Sequence, residues 1–235
     1  MGGHYDVPMK TTAKYLVVAT VGAILSSIIL HTHSEGATKT RNQPSKTIEI
    51  DEELKLPLEG KTIVLDPGHG GKDVGSTGSQ GTYEKDVTLL TALNISSKLV
   101  EQGANVVMTR ADDTFISLED RTELAQIEDA DLFLSIHFDA FECSDVHGMT
   151  TYYNKSQDQD LAQSIHDELF KLDTEIKDRG VMFGDYHVIR ENTQPAILLE
   201  LGYISNANEE KRMQSESFQE QISTNIVNGV INGLG

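Results

Sequence analysis

Four residues of types that bind metals or move protons stand at conspicuous places in the chain. His69 sits among glycines in "DPGHGG", Glu84 follows a polar glycine-rich loop, His137 ends the apolar run "LFLSIH", and Glu200 interrupts "AILLELGYI". Two imidazoles, one carboxylate and an open fourth position make a zinc site of the catalytic type. A second, non-ligating glutamate would complete the machinery for metal-assisted hydrolysis. The H-E-x-x-H helix signature is absent, so this is not a standard zincin arrangement. Each residue also has an ordinary reading. His69 could be a turn histidine, Glu84 a first-turn carboxylate complementing the helix dipole, and His137 a hydrogen-bonded core imidazole. Glu200 resists dismissal, because a buried ionised carboxylate costs several kcal/mol unless paired or bound to a cation. Its candidate ion-pair partner is Arg190, upstream on what reads as a neighbouring strand. Spacing alone leaves both sets of readings open.

The glycine loop does not cradle phosphate by either familiar pattern. A P-loop would need glycine at Asp66 and Ser or Thr after Lys72, where the chain has Asp73. The dinucleotide pattern fits Gly68 and Gly70 but meets Asp73 at its third glycine. A nucleotide-binding enzyme is thereby disfavoured, and the glycines read as a turn that allows close backbone approach while displaying His69.

These residues need elements to hold them, and the pattern alternates from Lys61 onward. "TIVLD", "ANVVMTR", "ADLFLSIH", "GMTTYYN", "YHVIR" and "PAILLELGYI" read as strands. "EKDVTLLTALNISSKLVEQG" reads as a helix with Leu89, Ala92, Leu93, Ser96, Leu99 and Val100 on its apolar stripe. "SLEDRTELAQIED", "DQDLAQSIHDELFKL" and the closing "SESFQEQISTNIVNGVINGLG" read as further helices. Strands alternating with helices predict an α/β fold, a sheet covered on both faces, with ligands bound beyond the carboxyl ends of its strands.

The chain has 235 residues, with 37 Asp+Glu against 19 Lys+Arg and a formal charge of -18. Such a surface argues against nucleic acid and anionic headgroups as partners. Cys143 is the single cysteine, so any metal must rely on His and carboxylate. Lys10 and Lys14 precede an uncharged run, residues 15–30, about 16 residues long and near the lower limit for a spanning helix. This predicts an N-terminal membrane anchor or a cleaved signal peptide over residues 1–30, with the rest outside the cytoplasm. Residues 31–58 read as a polar linker, in which His31 and His33 make a poor metal site, and residues 59–235 as the main domain.

The blocks "IVLDPGHGGKDVGS", "EKDVTL", "VVMTRADDTFISLEDRTELA", "ADLFLSIHFDAF", "HGMTTYY", "DRGV" and "YHVIRENTQPAILLELGYISNANEE" run in one order through residues 59–235. In these blocks the chain resembles the zinc-dependent N-acetylmuramoyl-L-alanine amidases of the amidase type 3 group, and among them the compact, membrane-anchored Gram-positive type. The resemblance implies a twisted, mostly parallel sheet of about six strands with helices on both faces. It implies Zn2+ ligated by His69, Glu84 and His137, with Glu200 as the catalytic glutamate. The implied reaction is hydrolysis, by zinc-activated water, of the amide joining the lactyl group of N-acetylmuramic acid to L-alanine of the stem peptide. Glu200 would act as general base and then general acid. Peptidoglycan is the implied partner, and similar anchored amidases can depend on an activating membrane protein. Two positions depart from the family's usual pattern: Gln126 follows Ala125, and the "SIH" block continues with Phe138 and Asp139.

Around this core, Arg190, His187 and Asp139 are candidates for substrate or supporting contacts. Arg190 would bind a stem-peptide carboxylate or position Glu200, whereas His187 reads more readily as an interior strand histidine. Arg110 and Arg121 read as ties between helices and loops, His147 as a loop residue and His166 as a helix-surface residue. Two rival functions remain, a non-catalytic wall-binding scaffold on the same fold and a zinc hydrolase of other peptidoglycan specificity.

Overall fold

The computed structural model describes residues 55–171 and 175–235. The apolar N-terminal run and most of the linker lie outside the described residues. Among the described residues, no helix is long and apolar enough to cross a membrane.

Among the described residues, six strands form one sheet: β1 (Thr62–Pro67), β2 (Asn105–Met108), β3 (Leu132–Asp139), β4 (Met149–Tyr153), β5 (Asp178–Phe183) and β6 (Ala196–Tyr203). Their spatial order is β2-β1-β3-β6-β4-β5. The first four of that order run parallel, β4 is antiparallel to β6, and β5 runs parallel with β4. The chain leaves β1 to form β2 on one side and returns to form β3 on the other. The carboxyl ends of β1 and β3 therefore flank a topological switch point, where open α/β sheets bind their ligands.

Strand parity decides which residues face which helices, because successive side chains point to opposite faces. Ile63, Leu65, Leu132, Leu134, Ile136, Ile197 and Leu199 enter a large core with α1 (Glu84–Glu101), α3 (Gln159–Leu169) and α6 (Glu216–Leu234). Val64, Phe133 and Leu198 enter a smaller core with α2 (Leu118–Ile127) and α4 (His187–Arg190). Continuing the parity toward the strand ends brings Asp66, Ser135, His137 and Glu200 to the α2/α4 face. Polar groups thus collect at one end of one face, while the opposite face stays apolar and supplies most of the burial energy. A further short helix, α5 (Ala207–Met213), follows β6 and is capped by Asn206, whose side chain accepts from the backbone of Asn208 and Glu209.

Several elements differ from the sequence reading. "YHVIR" is not a strand: residues 187–190 form a single helical turn that buries Val188 and Ile189 side by side. The apolar stripe of α1 holds at Ala92, Ser96 and Leu99, which are buried, and at Leu89 and Val100, which pack partly buried against the core, but Leu93 is exposed and the buried face extends instead to Val87, Thr88, Thr91 and Ile95. The first turn is tied down at Glu84, whose carboxylate accepts from the backbone N–H groups of Ser76 and Phe138 outside the helix. β5 and α5 lie in stretches too polar to show a period. The folded part also begins slightly before residue 59, since Leu58 is fully buried and its N–H donates to the Gln102 carbonyl. His166 is buried rather than on the helix surface, bonded to Thr151 Oγ1 and Asp178 Oδ1, each at 2.9 Å.

Candidate functional site

β1 ends in a sharp turn. His69 has φ +62°, in the left-handed region that L residues rarely adopt. The turn is held from below by Asp66, which is buried and accepts from Thr109 Oγ1 at 2.7 Å, Ser135 Oγ at 2.7 Å and Arg121 Nη1 at 2.6 Å. Arg121, on α2, also donates to the carbonyls of Pro67 at 2.9 Å and His69 at 2.7 Å. Burial alone would raise the Asp66 pKa, but the guanidinium and the three donors hold it below the usual carboxylate range. Replacing Arg121 with Met leaves Asp66 as an uncompensated buried charge. The expected loss is about 3–5 kcal/mol of folding stability, read by urea denaturation.

The loop after the turn delivers Glu84. Its backbone N–H donates to the Ser76 carbonyl at 2.9 Å, and its Oε2 accepts from the Ser76 N–H at 2.9 Å, closing a reciprocal pair at the start of α1. Glu84 Oε1 then lies 3.1 Å from His69 Nε2, 3.0 Å from His137 Nδ1 and 3.1 Å from the Phe138 backbone nitrogen. Burial works against the ionised form, but the two imidazoles outweigh it and hold the Glu84 carboxyl far below its ordinary pKa. One ligand atom from each of His69, Glu84 and His137 lies within 4.8 Å of the other two. The close approach depends on small neighbours. A Cβ at Gly68 would sit 2.3 Å from the His137 ring, and one at Gly75 2.6 Å from the His69 ring.

The donor set fits a catalytic-type zinc site: two imidazole nitrogens and one carboxylate oxygen converge at the open end of the sheet. His69 Nδ1 is 2.9 Å from Asp73 Oδ2, the outer-shell carboxylate that commonly orients a ligating imidazole. The sequence reading noted Asp73 only as a misplaced residue in a glycine pattern. Four-residue spacing from His69 within one loop was the available signal.

Glu200 stands on β6 directly opposite His137 on β3. Its Oε2 is buried and has no hydrogen-bond partner. Burial first, then the charges of Glu84 and Asp139, push its pKa well above the ordinary carboxylate range. The Arg190 ion pair is not formed. Arg190 lies at the exposed end of α4 and binds Asp185 at 2.8 Å and Glu191 at 2.7 Å. His187 is no interior strand residue; as the first residue of α4 it lines the same cleft as Glu200. Asp139 ends β3 at an irregularity in the β3–β6 register. His147 is an exposed loop residue, and Cys143 is exposed.

His69, His137 and Glu200 open into a cleft of about 540 Å3. Its walls are largely apolar, with Phe115, Ile116 and Leu118 from one side and Tyr186 and Val188 from the other. Tyr186, half exposed and edge-on to Tyr152 at 5.0 Å, escaped the sequence reading because it lay inside a presumed strand.

The profile of the N-acetylmuramoyl-L-alanine amidase family matches residues 63–232, an interval that contains every residue of this cluster. The chain belongs to that family. Among relatives of this amidase family, the putative N-acetylmuramoyl-L-alanine amidase YrvJ of Bacillus subtilis is 48% identical over 174 residues, 74% of this chain and 33% of that protein. The probable cell wall amidase LytH of Staphylococcus aureus is 42% identical over 178 residues, 75% of this chain and 59% of that one. The chain therefore spans a third and rather more than half of these two curated relatives. The catalytic domain of CwlV, an N-acetylmuramoyl-L-alanine amidase of Bacillus (Paenibacillus) polymyxa var. colistinus, superposes with a TM-score of 0.70 at 41% identity. The match covers 73% of this chain and 97% of that domain. The expected fold, a mixed α/β sheet of six strands with helices on both faces, is the fold observed.

Proposed function

We propose that this chain hydrolyses the amide between the lactyl group of N-acetylmuramic acid and L-alanine in peptidoglycan, with zinc held by His69, Glu84 and His137. The observation that carries this reading is the convergence of those three ligand atoms beside Glu200, whose buried Oε2 has no partner of its own. Zinc bound there would supply Lewis-acid polarisation of the scissile carbonyl and a lowered pKa for the attacking water. Glu200 Oε2 would take a proton from the attacking water as the water's oxygen bonds to the lactyl carbonyl carbon. The same carboxyl returns the proton to the alanine nitrogen as the C–N bond breaks. A carboxylate whose burial and acidic neighbours raise its pKa holds a proton more readily than an ordinary carboxylate, which suits both halves of this exchange. Asp73 holds the His69 ring against rotation, and the apolar walls keep the reacting groups away from bulk water. The substrate class lies outside the cytoplasm, and an anchor over residues 15–30 behind Lys10 and Lys14 would keep the domain there.

Digestion of purified sacculi tests the reading. New N-terminal L-alanine should appear with zinc present, vanish on chelation and return with added zinc. New N-termini of other amino acids, or none from zinc-loaded protein, would refute it.

A further inference from the structure

We propose that Arg110 is a positioning residue that sets the separation of His69 and Glu84, the two metal ligands supplied by different chain segments flanking the glycine loop. This rests on the zinc reading above. Arg110 follows β2 and is buried, and its guanidinium reaches two segments at once. Its Nε donates to the Pro67 carbonyl at 3.0 Å and its Nη2 to the Gly68 carbonyl at 2.8 Å, in the turn that carries His69. The same Nη2 donates to the Lys85 carbonyl at 2.8 Å and lies 3.0 Å from Thr88 Oγ1, in the first turns of the helix that carries Glu84. Nη1 is occupied by the Asp112 carbonyl at 3.0 Å.

Every one of these hydrogen-bond partners is a carbonyl or a hydroxyl. A guanidinium taken out of water without a bonded carboxylate is an expensive way to tie a loop to a helix, so stability alone does not explain the choice. Burial and the like charge of Arg121 accordingly push the Arg110 pKa down, to about 10, so it remains charged at neutral pH. What the planar fork supplies is geometry, since its donors lie at fixed angles and bind both segments together. The need for it is visible at His69, whose φ of +62° persists only where surrounding groups over-determine the turn. Arg121 clamps the side of that turn facing α2, through the Pro67 and His69 carbonyls. Arg110 clamps the side facing α1. Besides the His69–Glu84 contact itself, turn and helix are joined by single bonds from Thr88 Oγ1 to the Gly68 carbonyl at 2.9 Å and from Lys85 Nζ to the Gly71 carbonyl at 3.0 Å.

The test is zinc affinity, measured by competition with a colour-forming chelator well below the melting temperature, on wild type, Arg110→Lys and Thr88→Val. A lysine reaches one segment at a time, so Arg110→Lys is expected to bind zinc about 10–100-fold more weakly. Its cobalt-substituted form should show an altered visible spectrum, which reports ligand geometry. Thr88→Val, which removes one hydroxyl and keeps the side-chain volume, should shift the affinity less and in the same direction. A folded Arg110→Lys with a lowered melting temperature but wild-type zinc affinity and cobalt spectrum would make Arg110 merely structural and overturn the proposal. If Arg110→Lys does not fold, wild-type affinity in Thr88→Val overturns it. Wild-type protein that binds no stoichiometric zinc would instead remove the reading on which the proposal rests, and the proposal with it.

Discussion

Glu200→Gln is expected to slow hydrolysis by orders of magnitude while leaving zinc stoichiometry and fold intact. Gln occupies the same volume but neither takes nor returns a proton, and a positioned general acid–base contributes typically 10²–10⁴-fold, so kcat should fall by about that factor. The variant should also raise the stability of the metal-free protein at neutral pH. The pKa of Glu200 is raised in the folded state by burial and by Glu84 and Asp139. Its contribution to stability is therefore complete below the ordinary carboxylate pKa and is lost as pH rises through the raised value. Each unit of upward shift corresponds to about 1.4 kcal/mol, so at neutral pH the metal-free Gln variant should melt above metal-free wild type. At acidic pH the two should converge. Calorimetry of both proteins with and without zinc checks this. Identical melting curves at pH 7 would show that the Glu200 carboxyl is not the strained group its surroundings imply.

The second large effect concerns the ligands. His69→Ala combined with His137→Ala removes both imidazoles that meet Glu84 Oε1. The expected result is loss of stoichiometric zinc by elemental analysis and hydrolysis below detection. Both rings are only partly buried, and the cores on either face of the sheet do not include them. The double variant should therefore fold, with a far-UV spectrum like that of wild type. Zinc retained at one equivalent in the folded double variant would place the metal elsewhere.

His69, His137 and Glu200 were legible one by one in the sequence, whereas their meeting, with each other and with Glu84, was not. His137 and Glu200 each stood out as polar residues in apolar strands, and strand parity alone puts them on a common face. That they are neighbours depends on β6 inserting beside β3 rather than at a sheet edge, which periodicity does not specify. Glu84 had no distinguishing signal, since a first-turn carboxylate is common, and its role came only from the family resemblance. Asp66 read as the last residue of a strand. Its partners come from Thr109 just after β2, from α2 and from β3, so its buried network exists only once those elements are assembled.

The misreadings have equally local causes. "YHVIR" has the β-branched pair of a strand, but its two apolar residues are consecutive and both enter the α2/α4 core, which one helical turn allows and an alternating strand does not. Arg190 was offered to Glu200 because both seemed to lie on adjacent strands. With residues 187–190 helical, the guanidinium turns outward to Asp185 and Glu191. His166 looked like a polar residue on a helix surface, yet that surface is covered by β4 and β5.

The most direct measurement follows the oxygen. A defined muramyl peptide is incubated with zinc-loaded protein in water enriched in 18O, and the products are separated by mass. Attack of water on the lactyl carbonyl predicts one heavy oxygen in the carboxylate of the muramic acid product and an unlabelled, full-length peptide with a free L-alanine terminus. Label appearing in a shortened peptide or in released acetate, or an uncleaved substrate with zinc bound, would contradict the account.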